Sequence, residues 1–433
     1  MHKTDQRRSF HVEELTRVEG EGSLDVVVEG DEIVELAFKI FEAPRFYEAL
    51  LRGRSHLEAP DITARICGIC PVAYQTSAAN AMEQILGIDI GEPLRDLRRL
   101  LYMAEWIESH SLHVYLLHAP DFLGYPSAVA MANDFPGEVE RALRLKKTGN
   151  GLMTLIGGRE IHPINPRVGG FWKANRRRDF DPITEELQWA LQAALDTVSF
   201  VAGFPFPDLE QDYEFVALSD PNEYAVIGGR IRSSEGIDID VSDWNDVFIE
   251  EHVERSNALH ARVRGRGAYL TGPLARYNLN FEQLHPAART AALQAGLGAA
   301  VFNPFKSIVV RSVEITHAVA TALDILDRYV DPPVSYLEAA PIAGEGHGAS
   351  EAPRGLLYHR YVIDGQGLIT DAQIVPPTSQ NQLRIEEDMR HLLAGILDQP
   401  DSQIRHLLEQ SIRNYDPCIS CATHFLDLHI DRR

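Results

Sequence analysis

With 433 residues, the chain is long enough for one large domain or for two or three average ones. Its 45% hydrophobic and 24% charged residues are those of an ordinary globular protein with a sizeable core. The 63 acidic residues against 41 basic ones leave a formal net charge of −22, a field that repels phosphate backbones and excludes nucleic acid as a partner. The first twenty residues lack the apolar core of a secretion signal, and no run of about 18 apolar residues could span a bilayer. A cytoplasmic location without direct membrane insertion is therefore expected.

In chain order, residues 22–40 alternate and are rich in Val and Ile, which predicts a hairpin turning near Gly30 and Asp31. Residues 45–53 have helical spacing. Residues 72–87 form a second helical candidate, ending at Gly87. From Pro93 an amphipathic run places Leu94, Leu97, Leu101, Ala104 and Ile107 on one face and continues to about His118. Further helical patterns cover 182–202, 284–300 and 305–328. Strand signals occupy 214–240 around Gly228 and Gly229, a short sheet is expected over 357–375, and 384–413 returns to helix. No repeat or linker divides the chain. The expectation is one large α+β domain over 1–433, mainly helical, with small peripheral sheets around a bundle of long helices.

All four cysteines fall in two C-x-x-C pairs, Cys67 and Cys70 in RICGIC, then Cys418 and Cys421 in DPCISC. Each pair can chelate a metal through two thiolates, so together they supply four soft ligands. In a cytosolic chain this arithmetic favours metal or redox chemistry over a disulfide framework. Zinc modules place their pairs about 15–20 residues apart. Here the pairs lie near opposite ends, which suits a buried metal site joining the N- and C-terminal segments. A structural zinc staple remains the plain alternative.

The flanking residues narrow the choice. RICGICP and DPCISCATH, together with LTRVEGEG near the start, GGREIHPINPRVGG at 157–170, EAPRG at 351–355 and the QIVPPT stretch, resemble the motifs of nickel–iron hydrogenase large subunits, in order, from about residue 13 to 424. Within that family the chain is most similar to the cytoplasmic, NAD(P)-linked enzymes sometimes called sulfhydrogenases.

The resemblance implies that Cys67, Cys70, Cys418 and Cys421 bind nickel, with Cys70 and Cys421 bridging to an iron that carries carbon monoxide and two cyanides. It implies cleavage or formation of dihydrogen, which needs a Lewis acid and a nearby base. Cys418 becomes the first proton acceptor and Glu19 the relay carboxylate. Arg354 is placed to hydrogen-bond one cyanide, and Thr378, after Pro377, the other. Asp416 lies just outside the ligands. Glu48, the carbonyl of Ile374 and His424 match a magnesium site. His162 lies in a motif but is assigned no chemistry.

Two positions depart from the pattern. Tyr74 stands where many relatives carry a histidine bonded to a bridging sulfur; its hydroxyl can donate but does not titrate near neutrality. Ser109, beside Glu108, stands where many carry an aspartate, which leaves open whether Arg354 pairs with a carboxylate. His110, His113 and His118 read as buried structural histidines. No cysteine is left for iron–sulfur clusters, so the resemblance implies a cluster-bearing small subunit and, beyond it, flavin- and NAD(P)-binding subunits. Residues 425–433 resemble an extension removed by a maturation endopeptidase. The alternatives are a non-enzymatic zinc-stapled protein and a regulatory hydrogen-sensing subunit.

Overall fold

The computed structural model describes residues 7–423. The N-terminal sheet is a three-stranded antiparallel meander of Arg7–Val12, Gly22–Glu29 and Glu32–Ile40, with Gly30 at positive φ in the hairpin. The helix Pro71–Leu86 follows, opened by Pro71 and closed by Gly87 in the left-handed conformation. The amphipathic run then forms a helix over Gly91–Ser111 and continues as π-helical turns through Leu112–His118.

Four long helices make the bundle. Gly91–Ser111 packs against Pro136–Gly157 and Ser307–Arg328, and the latter also packs against Asp181–Ala202. Their apolar faces merge into a core that extends from Phe10 to Ala422. A smaller cluster lies beneath the sheet Gly344–Ala352, Gly355–Ile363 and Ile369–Val375, together with the strand pairs at 216–239 and 248–263. Helices with small sheets are thus the architecture, as expected. Among the described residues, no helix is long and apolar enough to cross a membrane.

Three expectations need correction. The helix expected over 284–300 spans only Pro286–Gln294 and stops short of Gly296 and Gly298. The single helix expected over 384–413 is two, Pro377–Ile396 and Asp401–Asn414, separated at Pro400. The helix Pro136–Gly157 is not foreshadowed by the periodicity, because Thr148, Gly149, Asn150 and Gly151 interrupt its apolar stripe. Gly149 is there for packing: a Cβ at this position would collide with the Ala104 carbonyl and the Glu108 amide of the neighbouring helix.

The strand Gly344–Ala352 is likewise silent in the sequence, since EGHGASEA lacks β-branched residues. Its glycines let the strand lie directly on the Pro71–Leu86 helix, where a Cβ at Gly348 would overlap the Ser77 carbonyl. Gly348→Ala should therefore lower stability by about 3 kcal/mol through overpacking, read as a drop in thermal midpoint.

Candidate metal centre

Cys67 leaves a 3-10 turn over Ala64–Ile66, and Cys70 is the residue before the helix Pro71–Leu86. Cys418 precedes a single turn, Ile419–Ala422, that carries Cys421. Two contacts bring these distant segments together. Glu19 forms an isolated parallel bridge with Cys418, in which the Ile419 amide donates to the Glu19 carbonyl at 2.9 Å. Arg45 donates through Nη2 to the carbonyls of Ile66, at 2.7 Å, and Ser420, while its amide donates to the Thr423 carbonyl at 2.7 Å. One arginine thereby ties both cysteine pairs. Sequence reasoning missed it, because an arginine after a proline carries no mark of a carbonyl partner.

The four sulfur atoms lie within 4.8 Å of one another, and all four residues are buried. Cys67 Sγ is 3.4 Å from Cys418 Sγ, and Cys70 Sγ is 3.7 Å from Cys421 Sγ. The cysteines are free, with Cys418 and Cys421 Sγ 2.8 Å apart. Burial, then the neighbouring thiols, pushes the Cys418 thiol well above its ordinary value, whereas contact with Cys418 holds Cys67 well below it. Four thiolates cannot share this dry volume without a cation, and a soft metal supplies that charge. The donor set therefore fits nickel with iron on two of the sulfurs, and it also fits a single zinc ion.

Around the sulfurs, Glu19 Oε2 is 3.1 Å from Cys418 Sγ and accepts the Ser420 amide at 3.0 Å. The Ser420 hydroxyl donates to Glu42 Oε2 at 2.9 Å. Thr378 Oγ1 accepts the Cys418 amide at 3.0 Å, which leaves its own proton free to donate; Pro377 opens that helix. The pairing question at Arg354 is answered by the other end of the chain. Its Nε donates to the Asp416 carbonyl at 2.7 Å, and Nη2 lies 3.0 Å from Asp416 Oδ2. Ser109 Oγ is a marginal contact at 3.5 Å, and Glu108 pairs with Lys146 instead. Asp416 holds a left-handed backbone, φ 50°, that an aspartate tolerates better than a branched side chain.

The three histidines are buried: His113 meets the Arg413 carbonyl and His118 lies between Asp121 and Asn414, whereas His110 lies 3.0 Å from Glu314 without a hydrogen bond of good geometry. His162 Nδ1 lies 2.7 Å from the Ala64 carbonyl and so props the turn before Cys67.

Of the expected magnesium ligands, Glu48 lies against Ile374, whose amide donates to Glu48 Oε1 at 2.7 Å. His424 and the segment 425–433 lie outside the described residues. Glu250, which no motif marked, sits close enough to Glu48 to feel its charge and accepts from Gln373 at 3.2 Å.

Known proteins resemble this chain. The model of the nickel-dependent hydrogenase family matches residues 45–135 and 272–424, which include both cysteine pairs. The sulfhydrogenase 1 alpha subunit of Pyrococcus furiosus is 32% identical, over 96% of this chain and 98% of its own length.

The chain belongs to the nickel-dependent hydrogenase family.

The sulfhydrogenase 2 alpha subunit of the same organism is also 32% identical, over 97% of this chain and 100% of its own. The structure of an NAD+-reducing [NiFe]-hydrogenase superposes with a TM-score of 0.84 at 23% identity, covering 96% and 99% of the two chains, so this family member has the large-subunit fold.

Burial raises Glu48 from 4.5 to about 7 and Glu250 to about 8, the second also through the charge of Glu48. Raised folded-state values mean that the folded protein holds more protons than the unfolded chain between those limits. The cation-free hydrogenase subunit should accordingly lose stability as pH rises from 4.5 to about 8, and thermal melts of Glu48→Gln should show a shallower slope.

Proposed function

We propose that this chain is the hydrogen-activating large subunit of a cytoplasmic, NAD(P)-linked enzyme that reversibly splits dihydrogen into two protons and two electrons. The observation that carries the reading is the convergence of four buried sulfurs with Glu19 at 3.1 Å from Cys418. Cys67, Cys70, Cys418 and Cys421 would hold nickel, and Cys70 and Cys421 would share an iron bearing carbon monoxide and two cyanides. Bound there, the metals would supply the Lewis acidity that heterolysis of dihydrogen needs.

The protein supplies the rest. Cys418 Sγ takes the first proton and Glu19 Oε2 receives it across a hydrogen bond. Ser420 bridges Glu19 and Glu42, since its amide donates to one carboxylate and its hydroxyl to the other. Arg354, anchored by Asp416, would donate to one cyanide, and the Thr378 hydroxyl would donate to the other. Glu48, the carbonyl of Ile374 and His424 would hold magnesium.

Electrons leave through a partner, because all four cysteines are committed. The surface beside Cys67 and Cys70 suits it. Ile161 packs next to Gly68, and Ile161, Ile164 and Trp172 are exposed and apolar. Arg167 lies against both the Trp172 and Tyr336 rings and fixes their pose. We assign this patch to an iron–sulfur small subunit, with flavin- and NAD(P)-binding subunits beyond it and an endopeptidase acting on 425–433 during maturation.

Infrared spectra and metal analysis of the purified complex test the reading. Carbonyl and cyanide bands with nickel and iron are expected, whereas zinc alone would overturn it. Glu19→Gln should keep those bands and lose on the order of 10²-fold or more in hydrogen-dependent dye reduction. Slow dye reduction by the unmutated complex would favour a hydrogen sensor instead. Trp172→Arg should abolish copurification with the cluster-bearing subunit.

A further inference from the structure

Arg276 has no part in the motifs, yet none of its donors is left without a partner. It lies on the helix Pro273–Asn280 and is fully buried. Nε and Nη2 donate to the two oxygens of Glu314 at 2.8 Å each. Nη1 donates to Glu351 Oε2 at 3.1 Å and to the Ala352 carbonyl at 2.7 Å, and Nη2 donates again to the Pro353 carbonyl at 3.0 Å. All five N–H donors of the guanidinium are used. Its plane also lies 4.5 Å from the Trp106 ring centroid, and the Trp106 indole N–H donates to the Glu351 carbonyl at 3.0 Å.

Three consecutive residues, Glu351, Ala352 and Pro353, are therefore gripped immediately before Arg354. Arg354 in turn grips Asp416, two residues before Cys418. We infer that Arg276 is a positioning residue for the metal centre: by holding the two carbonyls that precede Arg354, it sets where the Arg354 guanidinium sits above the four sulfurs. Arginine is required because a lysine, with three donors on a point charge, cannot serve two carboxylates and two carbonyls in fixed directions. Glu314 acts as the counter-charge that keeps Arg276 in the core; the Tyr224 hydroxyl donates to the same carboxylate at 2.8 Å.

This inference rests on the proposed function, and its test separates the two. Infrared spectra of the holoenzyme are compared for the unmutated protein, Arg276→Lys and Tyr224→Phe. Tyr224→Phe weakens the same buried network and should lower the thermal midpoint while leaving the cyanide bands in place. Arg276→Lys should shift those bands and reduce kcat on the order of 10²-fold, the scale of an ångström-level misplacement. If Arg276→Lys does not accumulate, Arg276→Gln, which keeps one carbonyl contact, replaces it with the same expectation. Unshifted bands in the Arg276 variant, or global unfolding of both variants, overturn the positioning role. Absence of the bands from the unmutated protein overturns the proposed function instead.

Discussion

Four thiols brought into one dry volume repel one another as soon as they ionise, so the arrangement persists only where the surrounding backbone holds it. The parallel contact between Glu19 and Cys418, and the arginine at 45 that reaches Ile66 and Ser420, provide that hold. Both use backbone carbonyls and amides, which have fixed directions and do not titrate. The two ends of the chain are thereby joined independently of the metal, across a core that neither end contributes to alone.

Charge is handled by the same rule throughout. Arg354 meets Asp416, Arg276 meets Glu314 and Glu351, and Arg413 meets Asp121 at 2.7 and 2.9 Å. Each pair is buried, and each arginine also donates to at least one backbone carbonyl, which helps meet the condition under which a buried ion pair is tolerated. Such pairs add little net stability but leave few alternative arrangements, so the groups around the sulfurs are rigid before any ligand arrives. Arg413 illustrates the economy: besides Asp121 it donates to the Thr16 carbonyl at 3.0 Å, and so steadies the segment that delivers Glu19.

The site was more legible than the fold. The cysteines, Glu19, Arg354, Thr378 and Asp416 all belong to short motifs whose residue types are dictated by chemistry, and the structure brings them together. The helix Pro136–Gly157 and the strand Gly344–Ala352 were hidden for one physical reason: close approach of two backbones demands small residues, and small residues erase the apolar periodicity that reveals an element. The Arg354 partner was hidden differently. The sequence left the pairing open, because Ser109, beside Glu108, stands where many relatives carry an aspartate; Glu108 is taken by Lys146, and the carboxylate comes from Asp416.

The amino-acid sequence by itself determined which side chains are offered as soft ligands, which carboxylate and guanidinium lie in the motifs beside them, and that the four cysteines are the only thiols in the chain. Only the tertiary structure decided what lies against those groups: Arg45 ties the two cysteine-bearing segments, and Arg276 meets the residues just before Arg354. Their partners are backbone carbonyls or residues far along the chain, and a carbonyl is present at every position. Nothing in the order of residues marks which carbonyl a buried arginine will find; that choice is made when helices, strands and chain ends settle into one packed core.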